Sequence, residues 1–136
     1  MTQQYLRGTS FSQCQIWKDG IGESKCNTGT GNANQVRAAL NKAKLKYSFQ
    51  STMVSEAASK AEINGNRPMI VGYGYKAGGG HMVVVRSYVY NYSATDGRYL
   101  YWNDPADGKY KGGTYAYLKS NTQWTVNGVF YQLKKV

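Results

Sequence analysis

The only histidine of the chain, His81, stands in Gly78-Gly79-Gly80-His81-Met82-Val83-Val84-Val85. Three glycines precede it and an apolar run follows. Imidazole is the side chain that takes and returns a proton near neutral pH, so its surroundings decide which chemistry is open to the chain. An exposed hairpin end is the plain reading of a histidine after three glycines. The run after it, however, is apolar enough for a buried strand, which puts His81 at the edge of a core. Residues 98–103 read as the returning strand of a hairpin, with an Asp96-Gly97 turn signal in the loop. An antiparallel hairpin brings the start of one strand beside the end of the next. His81 is therefore expected next to Asn103 and Asp104. A carboxylate or amide beside the Nδ1–H of a histidine fixes its tautomer and orients the ring. That supplies two parts of a nucleophile, base and orienter arrangement. Neighbours on a strand face opposite sides, so only one of Asn103 and Asp104 can face His81.

The third part would be a thiol or hydroxyl. Cys14 and Cys26 lie twelve residues apart. A thiolate is populated at neutral pH only beside a positive group or a helix N-terminus. A helix start near Ser12 offers Cys14 such a place. A disulfide between Cys14 and Cys26 is one further reading and suits a secreted protein; two buried thiols are the other. With one histidine and no second cysteine pair, no metal site is expected. Nothing in the chain calls for a cofactor.

Around these residues the 136-residue chain has room for one domain with one core. Thirteen tyrosines, sixteen glycines and only two prolines favour strands and tight turns over a helical bundle. Residues 1–7 read as the tail of a helix and residues 12–17 as another turn or two. Residues 27–32 are a loop. Asn32 then caps a helix from Ala33 to Ala43, with Val36, Leu40 and Ala43 on one face. Tyr47 and Phe49 are extended. Ser51 or Thr52 caps a helix from Val54 to Ile63, closed by Gly65. Strands follow at 68–75, 82–90 and 98–103, then a short helix at 115–120 and a strand at 124–133 broken at Gly128. Helices followed by an antiparallel sheet make an α+β fold.

The net charge of +10 suits a basic surface or an acidic partner. The lysines and arginines are scattered apart from short clusters at 42–46 and 134–135. No nucleic-acid-binding motif accompanies them, which argues against a nucleic-acid partner. No apolar run reaches the ~20 residues of a membrane span. Tyr88, Tyr90, Tyr92, Tyr99, Tyr101 and Tyr110 gather around the hairpin; cross-strand packing and a ligand platform are the two readings of them.

The order NRPMIVGYGY, GGGHMVVVRSY, YLYWNDPADGKY and GTYAYL resembles the second half of a papain-like cysteine peptidase. It is most similar to the bacterial branch related to the bacteriocin-processing C39 peptidases and the AvrRpt2-type effectors. The segment SQCQIW resembles the stretch just after the catalytic helix of that branch. The resemblance covers most of the chain. It implies one papain-like domain over residues 1–136, with helices first and a twisted antiparallel sheet after them. His81 matches the general base. Asp104, directly before Pro105, matches the orienting acid, and Asn103 the orienter of the papain pattern; the Asp-Pro pairing favours Asp104. The implied chemistry is thiol acyl transfer on a peptide or protein substrate, with deamidation or transglutamination open through the same intermediate. A secreted or translocated bacterial protein is also implied.

One part of the family pattern is missing. There the nucleophilic cysteine opens the first helix, with an oxyanion-hole glutamine some residues before it. MTQQYLRGTSFSQCQ aligns with the end of that helix and the loop after it. The nucleophile is therefore expected upstream of Met1, in a segment that the domain over 1–136 lacks. A relative that kept the fold as a non-catalytic, basic, toxin-like binding module is the alternative. Cys14 as the nucleophile is the third reading.

Overall fold

The computed structural model describes Lys18, residues 32–90 and residues 98–136. The helical readings of residues 1–7 and 12–17, the loop before Asn32, the hairpin loop at 93–97 and both cysteines lie outside the described residues. Two compact units divide the chain, Met1–Tyr47 with Leu133–Val136, and Ser48–Gln132.

In the first unit, helix α1 (Ala33–Lys42) starts as expected at Asn32. The Asn32 side chain accepts from the Gln35 backbone N–H at 3.0 Å, and the Gln35 side chain accepts from the Asn32 N–H at 2.8 Å. This reciprocal capping box satisfies two N–H groups that the first helical turn leaves without partners. Ala39, Leu40, Ala43, Leu45 and Leu133 are buried in this unit.

The second unit is built on a sheet with strand order β1-β6-β2-β3-β4-β5 among the described residues. The strands are β1 (Leu45–Gln50), β2 (Met69–Tyr75), β3 (Gly80–Tyr90), β4 (Arg98–Asn103), β5 (Tyr110–Thr114) and β6 (Trp124–Lys135). Helix α2 (Glu56–Asn64) lies between β1 and β2, and α3 (Tyr115–Lys119) between β5 and β6. The antiparallel pairs β2–β3, β3–β4, β4–β5 and β2–β6 carry the sheet. The fold is α+β, with β1 entering the sheet before the second helix rather than after it.

Two expected boundaries move. Helix α2 is capped by Ser55, whose hydroxyl accepts from the Ala58 N–H at 3.0 Å, not by Ser51 or Thr52. Met53 and Val54 are buried ahead of it: Val54, expected as the first helical residue, is a core residue of the approach. Strand β5 is the second difference. It is not among the strands expected from the sequence, and glycine, here at 112 and 113, weakens a strand. Here the glycines make room. A Cβ on Gly112 would stand 2.5 Å from the Tyr101 ring, and one on Gly113 2.8 Å from Tyr117. The expected break at Gly128 is a register shift, in which Gly72 pairs with Gly128 and Tyr73 with Val126.

The period-two alternation of the strands builds the core. Met69, Val71 and Tyr73 on β2, Val83 and Val85 on β3, and Leu100 and Trp102 on β4 are all buried. Ala58 and Ile63 of α2 and Leu118 of α3 pack into the same cluster. Side-chain bonds tie its cover down: the Tyr115 hydroxyl donates to the Val54 carbonyl at 2.6 Å, and the Trp124 indole N–H to the Leu118 carbonyl at 2.9 Å.

Leu100 has no exposed surface, whereas Val89 is 44% exposed. Leu100→Ala should therefore lower the unfolding free energy by about 2–5 kcal/mol. Val89→Ala should change it by no more than about 0.5 kcal/mol. Urea denaturation of the two variants checks both.

Candidate active site

His81 is the second residue of β3. The turn before it is closed by the Tyr75 N–H donating to the Gly79 carbonyl at 2.9 Å and the Gly78 N–H to the Tyr75 carbonyl at 3.0 Å. Gly78 and Gly79 have φ of 105° and 80°, a region that costs glycine nothing and other residues strain. The glycine run thus fixes the hairpin register, and His81 falls opposite Tyr73. Counting in steps of two along β3, His81 shares the face of the buried Val83 and Val85. It stands where that face runs out, with its side chain 19% exposed.

Asp104 reaches the same place from β4. Val85 pairs with Trp102 and Val84 with Asn103. Trp102 therefore shares the core face, as does Asp104 two residues on, while Asn103 turns to the other side. Asp104 is held by a tight turn. Its N–H donates to the Lys109 carbonyl at 2.9 Å, and its carbonyl accepts from the Gly108 N–H at 2.8 Å. Gly108 takes a φ of 69°. The turn sends β5 back along β4, so that Lys111 pairs with Trp102.

These elements bring together the two residues named first from the sequence. His81 Nε2 lies 2.6 Å from Asp104 Oδ1. The Ala106 backbone N–H donates to the same oxygen at 2.9 Å, and Lys111 Nζ donates to Oδ2 at 2.8 Å. Lys111 also lies 3.0 Å from Asp107 Oδ2. The Asp104 side chain is only 7% exposed. Burial by itself would push its carboxyl up; the hydrogen bonds from Lys111, the Ala106 N–H and His81 outweigh burial and hold it down at about 2. Asp104 is thus an anion at neutral pH and can only accept. Nε2 must carry the proton, which leaves the lone pair of a neutral ring on Nδ1.

This corrects one expectation. The carboxylate engages Nε2 and not Nδ1, because the ring enters from β3 with its far nitrogen toward the end of β4. Asn103 makes no hydrogen bond to His81 among the described residues, and its buried Oδ1 has no protein partner there. Cys14 and Cys26 lie outside the described residues. No group of three or more metal-ligating side chains occurs among the described residues. No helix there is long and apolar enough to cross a membrane.

Three neighbours escaped the sequence reading. Tyr73 meets the His81 ring edge-on at 5.7 Å between centroids and stacks on Trp124 at 4.5 Å. Burial, followed by a hydrogen bond with Tyr75, pushes the Tyr73 phenol far above its ordinary range. It is a neutral, apolar wall against the pair. Trp124 is brought in by β6, fifty residues downstream in sequence, and no local signal announces it. Lys111 had a weak signal in its spacing of four from Asp107, but that spacing counts only once β5 is known to be a strand beside β4. Of the hairpin tyrosines, Tyr101 packs across strands on Tyr110 at 5.5 Å, and Arg86 covers Tyr110 at 4.9 Å.

A buried carboxylate held below its ordinary 3.8 stabilises the fold in full above that value. The contribution is lost as the pH falls through about 2. Between pH 5 and 2 the protein should lose on the order of 2 kcal/mol more stability than the Asp104→Asn variant does. Urea melts across that range, compared for the two proteins, measure the difference. Equal acid slopes would show that the carboxylate is not held in this way.

No curated protein and no solved structure matches the chain. The sequence does match the Peptidase_C39 like family over residues 2–133, nearly its whole length. The matched span contains His81 on β3 and Asp104 just after β4, and the α+β arrangement agrees with it. The chain belongs to the Peptidase_C39 like family, within the papain-like cysteine peptidases, as a cysteine peptidase-like domain.

Proposed function

We propose that the domain cleaves peptide bonds by thiol acyl transfer, with His81 as the proton-transfer residue and Asp104 as the residue that orients it. The observation that carries this reading is the 2.6 Å contact between His81 Nε2 and Asp104 Oδ1. It leaves Nδ1, on a ring still 19% exposed, as the nitrogen that can meet a thiol. A base whose second nitrogen is bonded to a carboxylate keeps one tautomer and one orientation through the reaction.

In this reaction Nδ1 takes the proton of a cysteine thiol, and the thiolate sulfur attacks the carbonyl carbon of the scissile bond. The carbon–nitrogen bond breaks as Nδ1 returns its proton to the leaving amine. Water then attacks the thioester and gives one proton to Nδ1; as the carbon–sulfur bond breaks, that proton passes to the leaving sulfur, which releases the acid and restores the thiol and the neutral ring. Through each half the imidazolium is answered by Asp104, and the Tyr73 ring stands edge-on against it. The residues of the described site require no bound metal or cofactor for these proton transfers. The sulfur is that of a cysteine thiol, for which Cys14 is one candidate in the sequence.

The test is hydrolysis of a panel of fluorogenic peptides by the native polypeptide, including any residues encoded before Met1. His81→Ala should remove measurable activity, and Asp104→Asn should lower kcat/KM roughly 10²–10⁴-fold. Iodoacetamide should inactivate the enzyme. Loss on Cys14→Ser would identify Cys14 as the nucleophile. Hydrolysis that survives His81→Ala, or that alkylation leaves untouched, would sink the mechanism.

A further inference from the structure

The second oxygen of Asp104 is not free to serve the histidine. It accepts from Lys111 Nζ at 2.8 Å, while the first oxygen takes His81 at 2.6 Å and the Ala106 N–H at 2.9 Å. One negative charge therefore stands between a fixed cation and a ring that becomes a cation when protonated. We propose that Lys111 is a positioning residue for the pair: it pins the Asp104 carboxylate and limits how strongly that carboxylate holds protonated His81. The inference rests on the reading of His81 as the proton-transfer residue.

The geometry gives Lys111 both tasks. Strand pairing sets it opposite Trp102, on the face that Asp104 shares, so its side chain crosses the turn rather than pointing away. With Oδ2 tied to β5 and Oδ1 to the Ala106 N–H, the carboxylate cannot rotate about its axis without breaking one of these bonds. The electrostatic effect follows from charge alone. When His81 is protonated, Lys111 opposes it across the shared anion. An imidazolium held less firmly gives up its proton more readily to a leaving amine. The other titratable groups near the ring do not substitute for Lys111. Tyr73 on β2 stays neutral because burial pushes its phenol up. Asp107, at 3.0 Å from Lys111, carries the opposite sign. Trp124 on β6 does not titrate.

The measurement is an NMR pH titration of the His81 ring, which is unambiguous because the chain has one histidine. It needs neither substrate nor nucleophile, so a failed peptidase assay leaves it intact and a failed titration leaves the peptidase reading intact. Lys111→Met should raise the midpoint by roughly half a pH unit, the size set by a half-exposed cation acting across a carboxylate. Lys111→Arg, which keeps the charge, should return it to the parent value. Asp107→Asn should move it down or not at all. Lys111→Gln serves as a second neutral variant if Lys111→Met does not fold. A midpoint unmoved in the neutral variants would overturn the inference. So would an equal rise in Asp107→Asn, since that would assign Lys111 to bracing the turn and nothing more.

Discussion

A carboxylate taken out of water must be answered by donors, and the second unit is arranged around that demand at Asp104. An isolated buried anion is costly enough that it would protonate instead. Three donors from three places prevent this: the Ala106 N–H from its own turn, Lys111 from the returning strand, and His81 from the hairpin on the other side. Each donor fixes an element. The turn at 104–109 must be tight, which needs the positive φ at Gly108. Strand β5 must lie beside β4, which needs Gly112 to leave room for the Tyr101 ring. The hairpin before β3 must place His81 opposite Tyr73, which the two positive-φ glycines secure.

The second buried acid of the described residues shows what is particular about this one. Glu62 is as deeply buried as Asp104. It accepts from Arg67 at 3.0 and 3.3 Å and from the Gln132 N–H at 2.9 Å. Those partners never change charge, since a guanidinium stays protonated and an amide stays neutral. The Glu62 cluster can only hold structure together, tying the end of α2 to β6. Asp104 instead faces an imidazole, a ring that can gain and give up a proton. The same solution to the same burial problem gains a proton to move when one partner is an imidazole.

Position in the sheet adds the rest. Core residues on three adjacent strands run out at this end of the sheet: Tyr73 and His81, which pair with each other, follow Val71 and Val83, and Asp104 follows Trp102, which pairs with Val85. The site is thus an extension of the core face into polar chemistry. Its rigidity comes from the packing behind it, and its aromatic neighbours are the last apolar side chains of that packing. Trp124 stacks on Tyr73 and is itself held by the Leu118 carbonyl. The short helix α3 and strand β6 are thereby linked to the histidine through two rings.

The sequence by itself determined the α+β class, the capped helix after Asn32, the strands around the glycine hairpin and the meeting of His81 with the end of β4. Each of these rests on local signals: a cap, a turn dipeptide, an alternating pattern, and the rule that a hairpin returns beside its own start. The same alternation stated that Asn103 and Asp104 could not both face the ring. Which ring nitrogen meets the carboxylate was decided only by the tertiary structure, since it depends on the angle at which β3 delivers the side chain. So were the β5 strand, whose glycines leave room for the Tyr101 and Tyr117 rings, and the cap at Ser55, with Val54 buried ahead of the helix instead of inside it. Lys111, Tyr73 and Trp124 joined the site through pairings between strands. Apart from the spacing of Lys111 from Asp107, such contacts leave no trace in local sequence, because the residues that make them are neighbours only after the sheet has closed its register.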